Sequence, residues 1–181
     1  IIDYATSYVA CENTSIALEV TTINAVDAGG NKTDVTTAIL NDFTYQWKLN
    51  GANVAGATSS SISLTDPTEN GTYVLDGTIS TYSSTSNNVT VELLVNETLT
   101  INSTGLVSCG PSEPITISTT TDLSGETFTW YRNGTDLGVT TADLTVTEEG
   151  MYQLVLMRNG CPLRSNEIDI NPLDENQYQP R

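Results

Sequence analysis

The 181-residue chain carries 22 acids against 6 bases, a formal net charge of −16, and no histidine, while only 15 % of its residues are charged. Nucleic acid and anionic membrane surfaces call for clustered Lys and Arg, and here the bases stand apart at Lys32, Lys48, Arg132, Arg158, Arg164 and Arg181. Polarity rests instead on Thr, Ser and Asn, which suits strands with one wet face because Thr is both β-branched and hydrophilic.

In chain order, the opening Ile1-Ile2-Asp3 lacks Met, and the segment reads as a mature product or an excised fragment. No apolar run approaches the roughly 18 to 20 residues that span a bilayer, so no membrane insertion by this segment is expected. Cys11 precedes the first alternating run. The stretch Asp27-Ala28-Gly29-Gly30-Asn31-Lys32-Thr33-Asp34 reads as the heart of an insertion near 24–42, with at most a turn of helix between Val35 and Phe43. An aromatic strand follows, Phe43-Thr44-Tyr45-Gln46-Trp47-Lys48-Leu49, ended by Asn50-Gly51, the dipeptide best suited to a tight hairpin with positive φ. Then come the alternating Ser61–Leu64, the corner Glu69-Asn70-Gly71-Thr72-Tyr73, and the run Asn87-Asn88-Val89-Thr90-Val91.

The same order returns after a boundary at Val95-Asn96-Glu97. Phe128-Thr129-Trp130-Tyr131-Arg132 is closed by Asn133-Gly134, and Ala142–Val146 alternates. Glu148-Glu149-Gly150-Met151-Tyr152 repeats the corner, and Asn166–Ile170 repeats the final run. Trp47 and Trp130 lie 83 apart, Tyr73 and Tyr152 lie 79 apart, and so do Asn87 and Asn166. Cys11 and Cys109 lie 98 apart, so the first copy carries 15 extra residues between Cys and Trp (98 less 83), and 4 more between Trp and Tyr (83 less 79). Each copy offers about seven short strands with period-2 alternation and frequent turn signals, the pattern of a sandwich. The expectation is an all-β chain of two tandem antiparallel β-sandwiches, residues 1–95 and 96–171, with an extended or disordered tail at 172–181.

Trp followed by Gly-x-Tyr, found twice, resembles the arrangement of immunoglobulin-like domains. There a strand-C indole fills the inter-sheet core and a Tyr near the start of strand F caps the E–F corner. Trp47 with Tyr73, and Trp130 with Tyr152, would take those roles. The cysteines depart from the antibody pattern, since Leu75 and Leu154 stand two residues beyond the corner tyrosines. The layout is similar to the Ig-like or PKD-like repeats of large surface and secreted proteins of gliding bacteria that use type IX secretion. On that resemblance Cys109, before the strand Ile115-Thr116-Ile117, pairs with Cys161 in the hairpin Arg158-Asn159-Gly160-Cys161. Tyr82 occupies the place of Cys161 in the first copy. Cys11 is thereby left without a partner in its own copy, as a buried thiol, one whose partner was lost, or one that pairs between molecules.

Little chemistry is on offer. Without His there is no Ser-His-Asp or Cys-His arrangement. Gly29-Gly30-Asn31-Lys32-Thr33 ends like a phosphate loop but lacks the first glycine spacing and a following helix. Paired acids occur at Glu148-Glu149 and Asp174-Glu175, and two acids could run glycoside hydrolysis, but Glu148-Glu149 sits at the E–F corner, where polar residues solvate a turn. Asp27, Asn31, Asp34 and Asp42 around the insertion invite the question of calcium, yet their spacing is not that of an EF-hand; no metal, cofactor or catalytic residue is expected. Seven Asn-x-Ser/Thr sequons occur, at Asn13, Asn31, Asn70, Asn88, Asn96, Asn102 and Asn133.

The resemblance implies a non-enzymatic, extracellular spacer, stalk or adhesive module, whose partners are neighbouring repeats of its own polypeptide or surface glycans and proteins. A filament subunit that donates a terminal strand through Ile1-Ile2 and Tyr4 is one alternative. Carbohydrate binding is another, although the candidate aromatics Tyr4, Tyr8, Tyr82, Tyr131 and Tyr178 are scattered in the sequence.

Overall fold

The computed structural model describes residues 1–109 and 112–173. The chain is all-β and forms two compact units: Ile1–Val95 with Asn159–Cys161, and Asn96–Arg158 with the chain from Pro162 on. Each is a sandwich of antiparallel sheets, apart from the parallel pairing of Val107–Ser108 with Asn171–Pro172 in the second. Residues 174–181 of the expected tail, with Asp174, Glu175 and Tyr178, lie outside the described residues.

The first unit is built from β1 (Ile2–Tyr4), β2 (Ile16–Val20), β3 (Asn24–Val26), β4 (Lys32–Asp34), β5 (Thr44–Leu49), β6 (Ala52–Asn53), β7 (Ser61–Leu64), β8 (Gly71–Ile79), β9 (Tyr82–Thr85) and β10 (Val89–Val91). One sheet runs β1-β2-β7 and the other β10-β8-β5-β6, with β9 also on β8. The expected insertion is a separate hairpin, β3-β4, followed by a single helical turn at Thr36–Ile39.

The second unit comprises β11 (Ile101–Ser103), β12 (Val107–Ser108), β13 (Ile115–Thr119), β14 (Thr127–Arg132), β15 (Thr135–Asp136), β16 (Leu144–Val146), β17 (Gly150–Arg158), β18 (Cys161–Arg164) and β19 (Ile168–Pro172). Its sheets run β11-β13-β16 and β12-β19-β17-β14-β15, with β18 on β17. The expected boundary at 171 falls inside β19, which extends to Pro172.

Alternation explains both cores. Along β8 the inward positions Tyr73, Leu75 and Gly77 are buried, and along β17 Tyr152, Leu154 and Leu156 are. Trp47 lies opposite Leu75 and Trp130 opposite Leu154 in the sheet register. Both indoles are fully buried. The hairpin tips at Asn50-Gly51, Asn133-Gly134 and Asn159-Gly160 all have positive φ at both residues, as the primed turn of a two-residue hairpin demands. Gly71 and Gly150 are required for a different reason: φ is +149° and +141°, and a Cβ would lie 2.6 Å from Leu49 Cδ1 or 3.0 Å from Asn133 Nδ2.

The expected Cys109–Cys161 bridge is corrected by the structure. Cys161 is bonded to Cys11, with their Cα atoms 5.6 Å apart, and Cys109 is a free, exposed thiol. Cys11 is therefore neither an isolated buried thiol nor one without a partner. The reason lies in the second sheet. Cys109 follows β12, whose Ser108 pairs with Pro172, beyond the Gly150 end of β17. Cys161 lies past the Arg158 end. The nine residues of β17 separate the two ends by about 27 Å at about 3.3 Å per residue, whereas a bridge needs Cα atoms within about 7 Å.

No helix among the described residues is long and apolar enough to cross a membrane.

Candidate binding groove

The insertion shapes one concavity of the first unit. Its turn is made by Asp27, whose Oδ1 accepts from the backbone N–H of Gly29 (2.8 Å) and Asn31 (2.9 Å), while Oδ2 accepts from Asn31 Nδ2 (2.8 Å). Asp34 Oδ1 accepts from the Thr36 N–H and hydroxyl at 2.9 and 2.6 Å. Thr36 Oγ1 in turn accepts from Ile23 N at 2.6 Å, which ties both legs of the hairpin together. Hydrogen bonding to Asn31 holds the Asp27 carboxyl below its usual range, and bonding to Thr36 does the same for Asp34. These acids close the loop on itself. Among the described residues no three Asp, Glu or Cys side chains gather as a metal site.

Between this hairpin and the sandwich lies a groove of about 340 Å³, with Ile2, Val20, Val26, Phe43, Tyr45 and Leu75 among its walls. Phe43 and Tyr45 stack with centroids 5.8 Å apart, and Tyr45 donates its hydroxyl to Leu40 O at 2.7 Å. Burial raises the Tyr45 pKa. Phe43 lies over Gly77, where a Cβ would sit 3.1 Å from Phe43 Cδ1. Serine and threonine hydroxyls form the rim, and Lys32 is the one charged side chain lining it. The groove can hold an apolar or hydroxylated ligand. Its walls contain no carboxylate or thiol to act as a general base or nucleophile.

Each residue singled out in the sequence has a definite place. Trp47 Nε1 donates to Ser59 O at 2.9 Å, and Trp130 Nε1 to Thr141 O at 3.1 Å. The hydroxyl of Tyr73 donates to Glu69 O (2.7 Å) and that of Tyr152 to Glu148 O (2.8 Å). Burial, aided by the Glu69 charge, pushes the Tyr73 pKa up to about 12. Glu148 also pairs with Arg132, so this acid belongs to a corner and not to a reaction centre.

Tyr4 and Tyr8, apart in the sequence scan, are stacked at 4.1 Å between centroids. Both hydroxyls are engaged: Tyr4 donates to Thr90 O, and Tyr8 accepts from Glu92 N at 2.6 Å. Tyr82 is 76 % exposed and has no place in this stack. The sequon residue Asn70 is also structural, since Nδ2 donates to Leu93 O and Asn159 O and Oδ1 accepts from Leu93 N.

One device escaped sequence reasoning. Ser86 Oγ accepts from Leu75 N, and Asn87 clasps the backbone of Ile2 by accepting from its N–H and donating to its C=O. In the second unit Ser165 Oγ accepts from Leu154 N, and Asn166 clasps Ile101 in the same way. The dipeptide Ser-Asn ahead of the last strand in both copies was the available signal.

No family model matches the chain, and neither does any curated protein. Among solved structures it is similar to a chain of the crystal structure of mouse coronavirus receptor-binding domain complexed with its murine receptor, at 16 % identity and a TM-score of 0.51 over 96 % of this chain and 99 % of that one. It is also similar to murine CEACAM1b, at 14 % identity and a TM-score of 0.50 over 95 % and 98 % of the two chains. At such identities the likeness is one of fold: two immunoglobulin-like β-sandwiches.

Proposed function

We propose that the chain is a non-catalytic structural or adhesive module of an extracellular protein, a stalk or spacer whose first sandwich also presents a ligand groove. One observation carries this reading. In both sandwiches the Trp, the corner Tyr, the Ser-Asn pair and the hairpin Asn all direct their polar atoms to backbone groups that hold the fold. The Cys11–Cys161 bridge supports an oxidising compartment. One of the similar solved chains belongs to a complex between a receptor-binding domain and its murine receptor, and a protein or glycan surface is the kind of partner proposed for this groove. Strand donation is less favoured, because β1 is paired to β2 and Asn87 holds both backbone groups of Ile2.

The test is surface labelling of intact source cells with an antibody raised against the chain. Labelling of intact cells that is lost after external protease is expected; labelling only after permeabilisation would overturn the reading.

A further inference from the structure

The bridge joins residues 150 apart in a chain of 181, so the shortest covalent path from end to end is far shorter than the sequence. The structure assigns this bridge a mechanical role: it is a clamp that carries tension from Cys11 to Cys161 through the sulfur atoms and bypasses the chain between them. This rests on the stalk reading, in which the chain bears load between its two ends.

The bypassed stretch holds strands β2 to β17, and with them Trp47, Trp130 and both corner tyrosines. Noncovalent sheets yield under load long before a sulfur–sulfur bond does, so neither Trp47 nor Trp130 lies on the load path. What remains on that path is the 10 residues before Cys11 and the 20 after Cys161. These include β1, β19 and most of β18, strands held by ladder bonds and by the Asn87 clasp on Ile2. At about 3.5 Å per residue these segments yield about 105 Å of contour length, against about 630 Å for the whole chain. The strands outside the clamp can therefore peel and re-pair, taking Ile2, Leu163, Ile168 and Ile170 out of the two cores, while the strands that carry Trp47 and Trp130 stay inside the bridged loop. Cys161 is only 2 % exposed, but Cys11 is half-buried, so a dithiol reductant reaches the bridge from the Cys11 side.

Single-molecule stretching of the full chain, tethered through its two ends, tests the clamp. The untreated protein is expected to release about 105 Å and then stop, while Cys11→Ser, or the untreated protein in a dithiol reductant, releases about 630 Å. Cys109→Ser is expected to behave as the untreated protein does. Release of several hundred ångströms by the untreated protein would overturn the proposal. A Cys109–Cys161 pairing, for instance, would free the 108 residues before Cys109 and the 20 after Cys161, 128 in all, and about 450 Å. If Cys11→Ser does not fold, the comparison with and without reductant still decides. A chain displayed on cells that stretches fully defeats the clamp alone, whereas a short extension in a chain never displayed defeats the stalk reading alone.

Discussion

Cys11 and Cys161 lie 150 residues apart in sequence, yet their Cα atoms are 5.6 Å apart and their sulfurs are bonded, while Cys109 remains free and exposed. The untreated protein, denatured without reductant, is expected to titrate as one free thiol, and Cys109→Ser as none. Peptide mapping should recover the Cys11 and Cys161 peptides joined. Reduction should lower the unfolding free energy, read from the shift of the denaturant midpoint, by at most about 5 kcal/mol in the chain-entropy account of a loop this long. An unchanged midpoint would show that the ring contributes nothing to stability.

Ser165 is 6 % exposed, and its hydroxyl accepts from Leu154 N at 2.9 Å. Ser165→Ala leaves that buried N–H without an acceptor and is expected to cost about 1–3 kcal/mol. Asn87→Ala removes both bonds to the Ile2 backbone and should cost a similar amount in the first unit. Urea unfolding followed through the two tryptophans reads both effects. Wild-type midpoints for either variant would refute the clasp.

Tyr73 titrates near 12 in the folded protein because burial, and secondarily the Glu69 charge, disfavour the phenolate. In the unfolded chain a tyrosine titrates near 10. The neutral hydroxyl thus contributes stability that is fully present below about pH 10 and is lost as pH rises toward 12. Tyr73→Phe is expected to lower stability by about 1 kcal/mol at neutral pH through the lost bond to Glu69 O. It should also flatten part of the alkaline decline between pH 10 and 12, measured by urea midpoints across that range. An identical alkaline slope in the variant would contradict the assignment.

Asp27, Asp34 and Asp66 accept hydrogen bonds from Asn31, Thr36 and Thr68, and all three have depressed pKa values. Asp76 is depressed as well, first by Lys48 at 2.7 Å and then by Thr85. Their contribution to stability is present above the ordinary carboxylate range and is lost as pH falls through the lower, folded values. Midpoints should hold to about pH 4 and fall below it. In the β3-β4 hairpin, Asp27→Ala should raise amide exchange at Gly29 and Asn31 without moving the core amides. Unchanged exchange at those two positions would show that Asp27 does not form the turn.

Gly77 lies under Phe43. Gly77→Ala is expected to displace that ring and cost about 1–3 kcal/mol by overpacking. Aromatic side-chain NMR shifts of Phe43 and Tyr45 would register the change, and unmoved shifts would argue against this packing of the groove wall.

Sandwich architecture was legible in the sequence because it depends on local periodicity: alternating strands, Asn-Gly turns and Gly-x-Tyr corners each write a short-range pattern. Trp47, Trp130, Tyr73 and Tyr152 could be picked out for the same reason, since each repeats within a fixed local frame. Ser86-Asn87 and Ser165-Asn166 were visible as a repeated dipeptide, but their task was not, because an amide clasps whichever backbone the fold brings beside it. The disulfide shows this limit most clearly. The resemblance to surface-protein repeats implied Cys109 with Cys161, yet β17 holds those residues at opposite ends of one sheet, and bond formation depends on distance in space. Only the tertiary structure decides which cysteine's Cα lies within about 7 Å of that of Cys161, and it chooses Cys11.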